Sequence, residues 1–126
     1  MGSQPEGTLG GIFCAQVVEH LPPARVPELI ALAARKLYSG GLLAIETPNP
    51  ECLAIFATHF YIDPTHTRPV PSLLLRFYME ESGLGGIEVH YRAPAVEAFT
   101  ELAALDTSVR ERFFGGLDYA ILGRKL

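Results

Sequence analysis

The chain has 126 residues and a formal charge of −4, with a pI near 5.5, so it carries no basic stripe to draw it to nucleic acid or an anionic membrane. Hydrophobic residues make up 48% of the chain and mean hydropathy is +0.21, high for a soluble domain, yet no apolar run has the length needed to span a bilayer. That length fits one domain, residues 1–126, and the surplus apolar surface is expected to be buried, in part between chains.

Met1-Gly2-Ser3 lacks the charged and apolar regions of a secretory signal and reads as the scar of an expression tag. Leu9 to Val18 follows, a nearly uninterrupted apolar stretch with β-branched and aromatic members, which predicts a strand covered on both faces. Pro22 and Pro23 suit a helix start. Val26, Leu29, Ile30, Ala33 and Leu37 then recur at helical spacing, and Ser39-Gly40-Gly41 is expected to close that helix, with Gly40 as its left-handed residue. Leu42 to Thr47 resumes the strand pattern until Pro48 and Pro50 stop it. Strand, helix and strand make the crossover that parallel sheets require.

Glu51 to Pro71 is a long loop with a short helix expected around Leu53 to Ala57, followed by His59, Asp63, His66 and Arg68 among prolines. Loops of this length usually carry function. Ser72 is the expected N-cap of a helix over Leu73 to Ser82, with Gly83 as its stop. Ile87 to Tyr91 alternates, as a strand near a sheet edge does. Ala95 to Leu105 and Ser108 to Phe114 read as helical, and Asp118 to Lys125 as a last strand. Repeats, low-complexity tracts and linkers are absent from the sequence.

Ligands of parallel sheets bind outside the carboxyl ends of the strands. Glu19 and His20 follow one such end and Asn49 another. Neighbouring strands lie about 4.8 Å apart, so the loop with Asp63 and His66 can fold over both. Spacing alone also allows a plainer reading, in which Glu19 caps the next helix, His20 is a packed histidine, and Asp63 accepts N–H bonds from its own loop. His90 reads as structural, and Arg110-Glu111-Arg112 as a solvated helix face. Cys14 and Cys52 lack close metal-type spacing, which suits a reducing cytoplasm without a disulfide.

The succession VVEHLPP, a helix ending in Lys36-Leu37-Tyr38-Ser39-Gly40-Gly41, then ETPNP, DPTHTRP and DYAILGRK, resembles the C-terminal half of class I S-adenosylmethionine-dependent methyltransferases over almost the whole chain. The resemblance implies an α/β, partial Rossmann-like sheet made of the fourth to seventh strands with flanking helices. The last strand, Leu117 to Lys125, would be antiparallel and inserted between its two predecessors. It also implies S-adenosylmethionine as cofactor, with Cys14, Ala15 and Gln16 beside its methionine part. O-methylation of a small molecule or sugar, with Glu19, His20, Asp63 and His66 as catalytic candidates, is the activity expected. Such enzymes carry their glycine-rich cofactor loop ahead of these segments, and Gly7, Gly10 and Gly11 flank a strand start instead. The fragment alone is therefore expected to be inactive.

Gln16-x-x-Glu19-His20 further resembles the Glu-x-x-Glu-His ligand set of metal-dependent small-RNA 2′-O-methyltransferases and ubiquinone-pathway O-methyltransferases. Gln16 replaces the first glutamate and removes a charge, which weakens a magnesium site. Glu19, His20 and His66 also resemble a two-histidine, one-carboxylate set for zinc, iron or manganese. A non-catalytic metal-binding or oligomerisation module is the alternative reading. In either case the edge of Leu9 to Val18, without its family neighbour, predicts a homodimer or larger oligomer.

Overall fold

The computed structural model describes residues 2–126; Met1, the first residue of the segment read as a tag scar, lies outside the described residues. Strand β1 (Leu9–Ala15) leads through a 3-10 turn (Val18–His20) into helix α1 (Arg25–Lys36), and strand β2 (Leu37–Pro48) follows directly. Helix α2 (Ala54–Thr58) and a 3-10 turn (Phe60–Ile62) occupy the long loop before helix α3 (Ser72–Glu81). Strand β3 (Leu84–Pro94), helices α4 (Ala95–Ala98) and α5 (Thr107–Phe113), and strand β4 (Gly116–Lys125) complete the order.

The four strands form one sheet in the order β1-β2-β4-β3. Strand β2 runs parallel to β1, and β4 runs antiparallel to both β2 and β3. The expected α/β sheet with an inserted antiparallel last strand is the one observed, and β3 lies at an edge as its alternation suggested. The carboxyl ends of β1, β2 and β3 therefore share one rim with the start of β4. Residues in register share a face, and the row Cys14, Ile45, Ile121, Val89 packs with Ile30 and Ala33 of α1 and Leu75 and Met79 of α3 in the main core. Full burial of a side chain such as Ile30 stabilises by roughly 1.5–3 kcal/mol.

The opposite face carries the row Phe13, Ala44, Leu122, Glu88. Phe13 is 65% exposed there, so β1 is not covered on both faces as its sequence predicted. It also ends at Ala15 rather than Val18. Gln16, at φ 58, turns the chain out of the sheet.

Two helix boundaries differ from expectation. Helix α1 stops at Lys36, and Leu37 already pairs with Leu9, while the next matched pair is Gly11 with Leu42. The residues between, including Gly40 at φ 86, form a bulge in β2 instead of a helix terminus. At α3 the N-cap is Pro71, and no side chain caps the helix, so Ser72 is its first residue rather than its cap. Gly83 does end α3 in the left-handed region, its N–H bonded to the Glu80 carbonyl. The helix expected over Ala95 to Leu105 is divided into α4 and a 3-10 turn at Thr100–Ala104.

A second, smaller core joins Cys52, Ile55 and Phe60 of the long loop to Ala95, Phe99, Leu102, Phe114 and Leu117. It anchors the loop against the α4–α5 excursion, beside the shared rim.

Candidate functional site

Glu19 is fully buried in the turn after β1. It does not cap α1, whose N-cap is Ala24. Its Oε1 instead accepts a hydrogen bond from Thr47 Oγ1 of β2 at 2.9 Å. Its Oε2 is buried without a hydrogen-bond partner among the described residues, a costly state for a carboxylate oxygen unless a cation or proton stands nearby. The loop locks onto this turn through the Glu19 carbonyl, which accepts from Thr67 N at 2.7 Å and Thr67 Oγ1 at 3.0 Å.

That lock brings His66 to His20, with ring centroids 4.6 Å apart. The Phe60 ring backs His66 at 4.4 Å and ties it to the second core. Glu19, His20 and His66 each offer a ligand atom, and the three atoms lie within 4.8 Å of one another. His20 Nε2 is 4.0 Å from Glu19 Oε2. The three residues singled out as a metal set thus converge, from segments more than 40 positions apart in the chain.

Asp63 borders the cluster, its Oδ2 3.5 Å from His66 Nε2. Its Oδ1 accepts from Thr65 N at 2.8 Å and Thr65 Oγ1 at 2.6 Å, and these bonds hold its carboxyl below the usual carboxylate range. The local turn read for Asp63 is therefore present together with its place at the cluster. Asn49 does not join. Its side chain donates to the Gly116 carbonyl and accepts from Glu51 N, bracing β2 against the start of β4.

Cys14, Ala15 and Gln16 end β1 at the same rim. Cys14 points into the main core, where burial raises its thiol pKa and leaves it a poor nucleophile. Ala15 pairs with Glu46, and Gln16 donates its N–H to the Glu46 carbonyl at 2.8 Å. Burial and the Glu46 charge raise the Asp118 carboxyl, and the Gln16 amide opposes them. Gln16 thus meets Asp118 in the place where the resembled ligand set has a glutamate. Both cysteines are free, and His90 is exposed on β3.

Sequence reasoning missed Thr47 and Thr65, which hold Glu19 and His20. Their only signal was position, inside the ETPNP and DPTHTRP segments. It also missed a cleft of about 310 Å³ lined by Asn49, Glu51, Tyr91, Glu111, Arg112 and Gly116 at the rim of β2 and β3. Tyr91 and Glu51 are joined across it by a 2.7 Å hydrogen bond.

No family model and no curated protein matches the chain. Solved structures do. A SAM-dependent methyltransferase from Archaeoglobus fulgidus is 32% identical, with a TM-score of 0.88 over 98% of this chain and 62% of its own. A SAM-dependent methyltransferase from Thermotoga maritima is 13% identical, with a TM-score of 0.70 over 98% of this chain and 59% of its own. Phosphoethanolamine N-methyltransferase 2 of Haemonchus contortus, in complex with S-adenosyl-L-methionine, is 12% identical, with a TM-score of 0.66 over 98% of this chain and 34% of its own. The last two speak to the fold alone. The chain thus spans less than two thirds of the length of these similar structures, and the comparisons support a class I S-adenosylmethionine-dependent methyltransferase fold.

Proposed function

We propose that this chain is the later portion of a methyltransferase that moves the methyl group of S-adenosylmethionine to a hydroxyl of a small molecule or sugar, with a divalent metal at Glu19, His20 and His66. The observation that carries the metal is the buried, partnerless Glu19 Oε2 facing two histidines. The donor set fits: one carboxylate and two imidazoles suit zinc, iron or manganese better than magnesium. Such a cation, when bound, supplies Lewis-acid activation of a hydroxyl oxygen.

The chain's own residues supply the rest. Glu19 contributes the negative charge from a buried position that excludes water. His20, with its side chain 33% exposed, forms the open side of the cluster, where a hydroxyl can approach. Asp63, more exposed than His66, adds an acceptor to that mouth. The β1 terminus at Cys14, Ala15 and Gln16 would flank the methyl donor, as the resemblance implies. Glycines placed to cradle a nucleotide lie outside this set, so the fragment alone is inactive on this reading.

Two free thiols and the acidic charge favour a cytoplasmic setting without nucleic acid. No described helix is long and apolar enough to cross a membrane. The unpaired outer edge of β1 favours a homo-oligomer, and it also supports a second reading, a non-catalytic module that binds metal and assembles.

The test is metal content by mass spectrometry after loading with Mn²⁺ or Zn²⁺ and dialysis, alongside calorimetric titration with S-adenosylmethionine. The parent chain should retain about one metal per chain, and His20→Ala should lose it. Equal content in both, or none in either, would end the metal reading. Saturable heat with S-adenosylmethionine supports a donor site within this portion. Retained metal without such heat supports the second reading.

A further inference from the structure

The hydrogen bonds around the cluster determine which ring nitrogen of each histidine carries the proton. Thr65 has one hydroxyl proton. Asp63 Oδ1 lies 2.6 Å from Thr65 Oγ1, and an ionised carboxylate only accepts, so the proton is directed there. His20 Nδ1 is 2.8 Å from the same Thr65 oxygen and must then be the donor. That leaves the Nε2 lone pair of neutral His20 on the side of Glu19 Oε2, 4.0 Å away. At His66 the same logic applies. Its Nδ1 is 2.6 Å from the Phe60 carbonyl, which only accepts, so in the neutral ring Nε2, 3.5 Å from Asp63 Oδ2, is the bare nitrogen.

We propose that Thr65, itself oriented by Asp63, is a positioning residue that fixes His20 as the Nδ1–H tautomer and so presents Nε2 to the cation site. The inference rests on the metal reading above and assigns Thr65 a role there. Histidines that bind metals commonly donate their second N–H to an oxygen, which fixes the ring and raises its basicity. Here the relay Asp63 to Thr65 to His20 supplies that oxygen from an exposed turn, where a threonine has no packing reason to be placed. Thr47 on Glu19 Oε1 and the Phe60 carbonyl on His66 complete the same arrangement. Each ligand has one polar atom tied outward; Glu19 Oε2 and His20 Nε2 are left without a hydrogen bond inward, and His66 Nε2 stands 3.5 Å from Asp63 Oδ2.

The experiment uses the full chain as parent, Thr65→Val and Thr65→Ser. Valine keeps the shape and the backbone bond from residue 65 to Asp63 but removes the hydroxyl. Serine keeps the hydroxyl. Thermal melts confirm folding, Mn²⁺ and Zn²⁺ affinities are measured by calorimetry, and the tautomer of His20 is read without metal from ring ¹⁵N chemical shifts.

Thr65→Val should weaken metal binding about 10–100-fold, as loss of such outer contacts does, and His20 should lose its single tautomer. Thr65→Ser should restore both. Parent-like affinity and tautomer in Thr65→Val would overturn the inference while leaving the metal site in place. So would a serine variant as impaired as valine. If the parent binds neither metal, the metal reading fails and takes the cation-site role of Thr65 with it, and the ¹⁵N shifts then decide only whether Thr65 fixes the tautomer. A Nδ1–H tautomer lost only in Thr65→Val sustains that positioning step, and any other pattern overturns it.

Discussion

A buried carboxylate with one free oxygen is a costly local feature, and the residues around it are arranged to hold it. Thr47 Oγ1 satisfies Glu19 Oε1 across the β1–β2 rim. Thr47→Val should therefore leave both carboxylate oxygens unpaired and cost about 1–3 kcal/mol. Urea denaturation monitored by circular dichroism would show the midpoint fall, and an unchanged midpoint would mean the bond contributes nothing. A different sign is expected at Asp118. Burial and the Glu46 charge raise its pKa in the folded state, so the native form holds its proton more tightly than the unfolded chain does. Its contribution is most favourable below the unfolded pKa, then declines as pH rises through the interval up to the raised native value. Asp118→Asn should thus stabilise the protein at neutral pH, with the gain vanishing in acid. Melting temperatures compared at pH 7 and near pH 3 check this, and a gain that grows in acid would contradict it. The convergence of Glu19, His20 and His66 was legible in part, for spacing put them at a strand end and in a long loop but left a plain reading open, and it was the resemblance that joined them as a set. Thr47 and Thr65 were not legible. Their roles exist only once segments 28 and 45 positions apart are brought together.

At the level of elements, the crossover could be read because apolar runs and proline stops are strong local signals, whereas the place of the inserted last strand came from the family resemblance. The start of β2 could not. Ser39-Gly40-Gly41 after an amphipathic helix has the composition of a helix terminus, and at Gly83 the same kind of signal does end a helix. What differs at β2 is a tertiary partner, for Leu37 pairs with Leu9 and is wholly buried, so the strand begins before the glycines and they become a bulge. The two glycines then do different jobs. A Cβ on Gly41 would stand 2.9 Å from the Tyr38 carbonyl oxygen and 3.2 Å from that of Leu9, backbone atoms that cannot simply rotate away. A Cβ on Gly40 meets nothing, but its φ of 86 is unfavourable for any other residue. Gly41→Ala should cost about 1–3 kcal/mol by crowding and Gly40→Ala about 1–2 kcal/mol by strain, both read from urea midpoints. A neutral Gly41→Ala would show that β1 and β2 separate easily at this end.

At the scale of the whole molecule, both long helices pack on one face of the sheet, and the other face is partly exposed. That face presents Phe13, Ala44 and Leu122 in adjoining register, and it ends at β1, whose outer edge has no strand beside it among the described residues. Such an edge offers a row of backbone donors and acceptors. A second copy can satisfy it by twofold antiparallel pairing, because the same strand serves as partner on both sides of the axis. A stable interface of this kind needs about 1,200–2,000 Å² of buried surface, more than one short strand provides, so the adjoining apolar face must take part. Phe13 belongs to both. Its ring is 65% exposed on the strand that forms the edge, and a lysine there would place a charge in the middle of the contact. Sedimentation velocity of the parent should give a mass above the monomer, and Phe13→Lys should weaken self-association at least about tenfold while leaving the fold intact by circular dichroism. Leu122→Lys, one β-ladder step beyond Ala44, separates the two ways of assembling. If it dissociates the oligomer as well, the apolar face is part of the contact. If it does not, the edge alone suffices. A parent chain that sediments as a clean monomer would remove self-association from the account, because the edge and face would then be open without attracting a second copy.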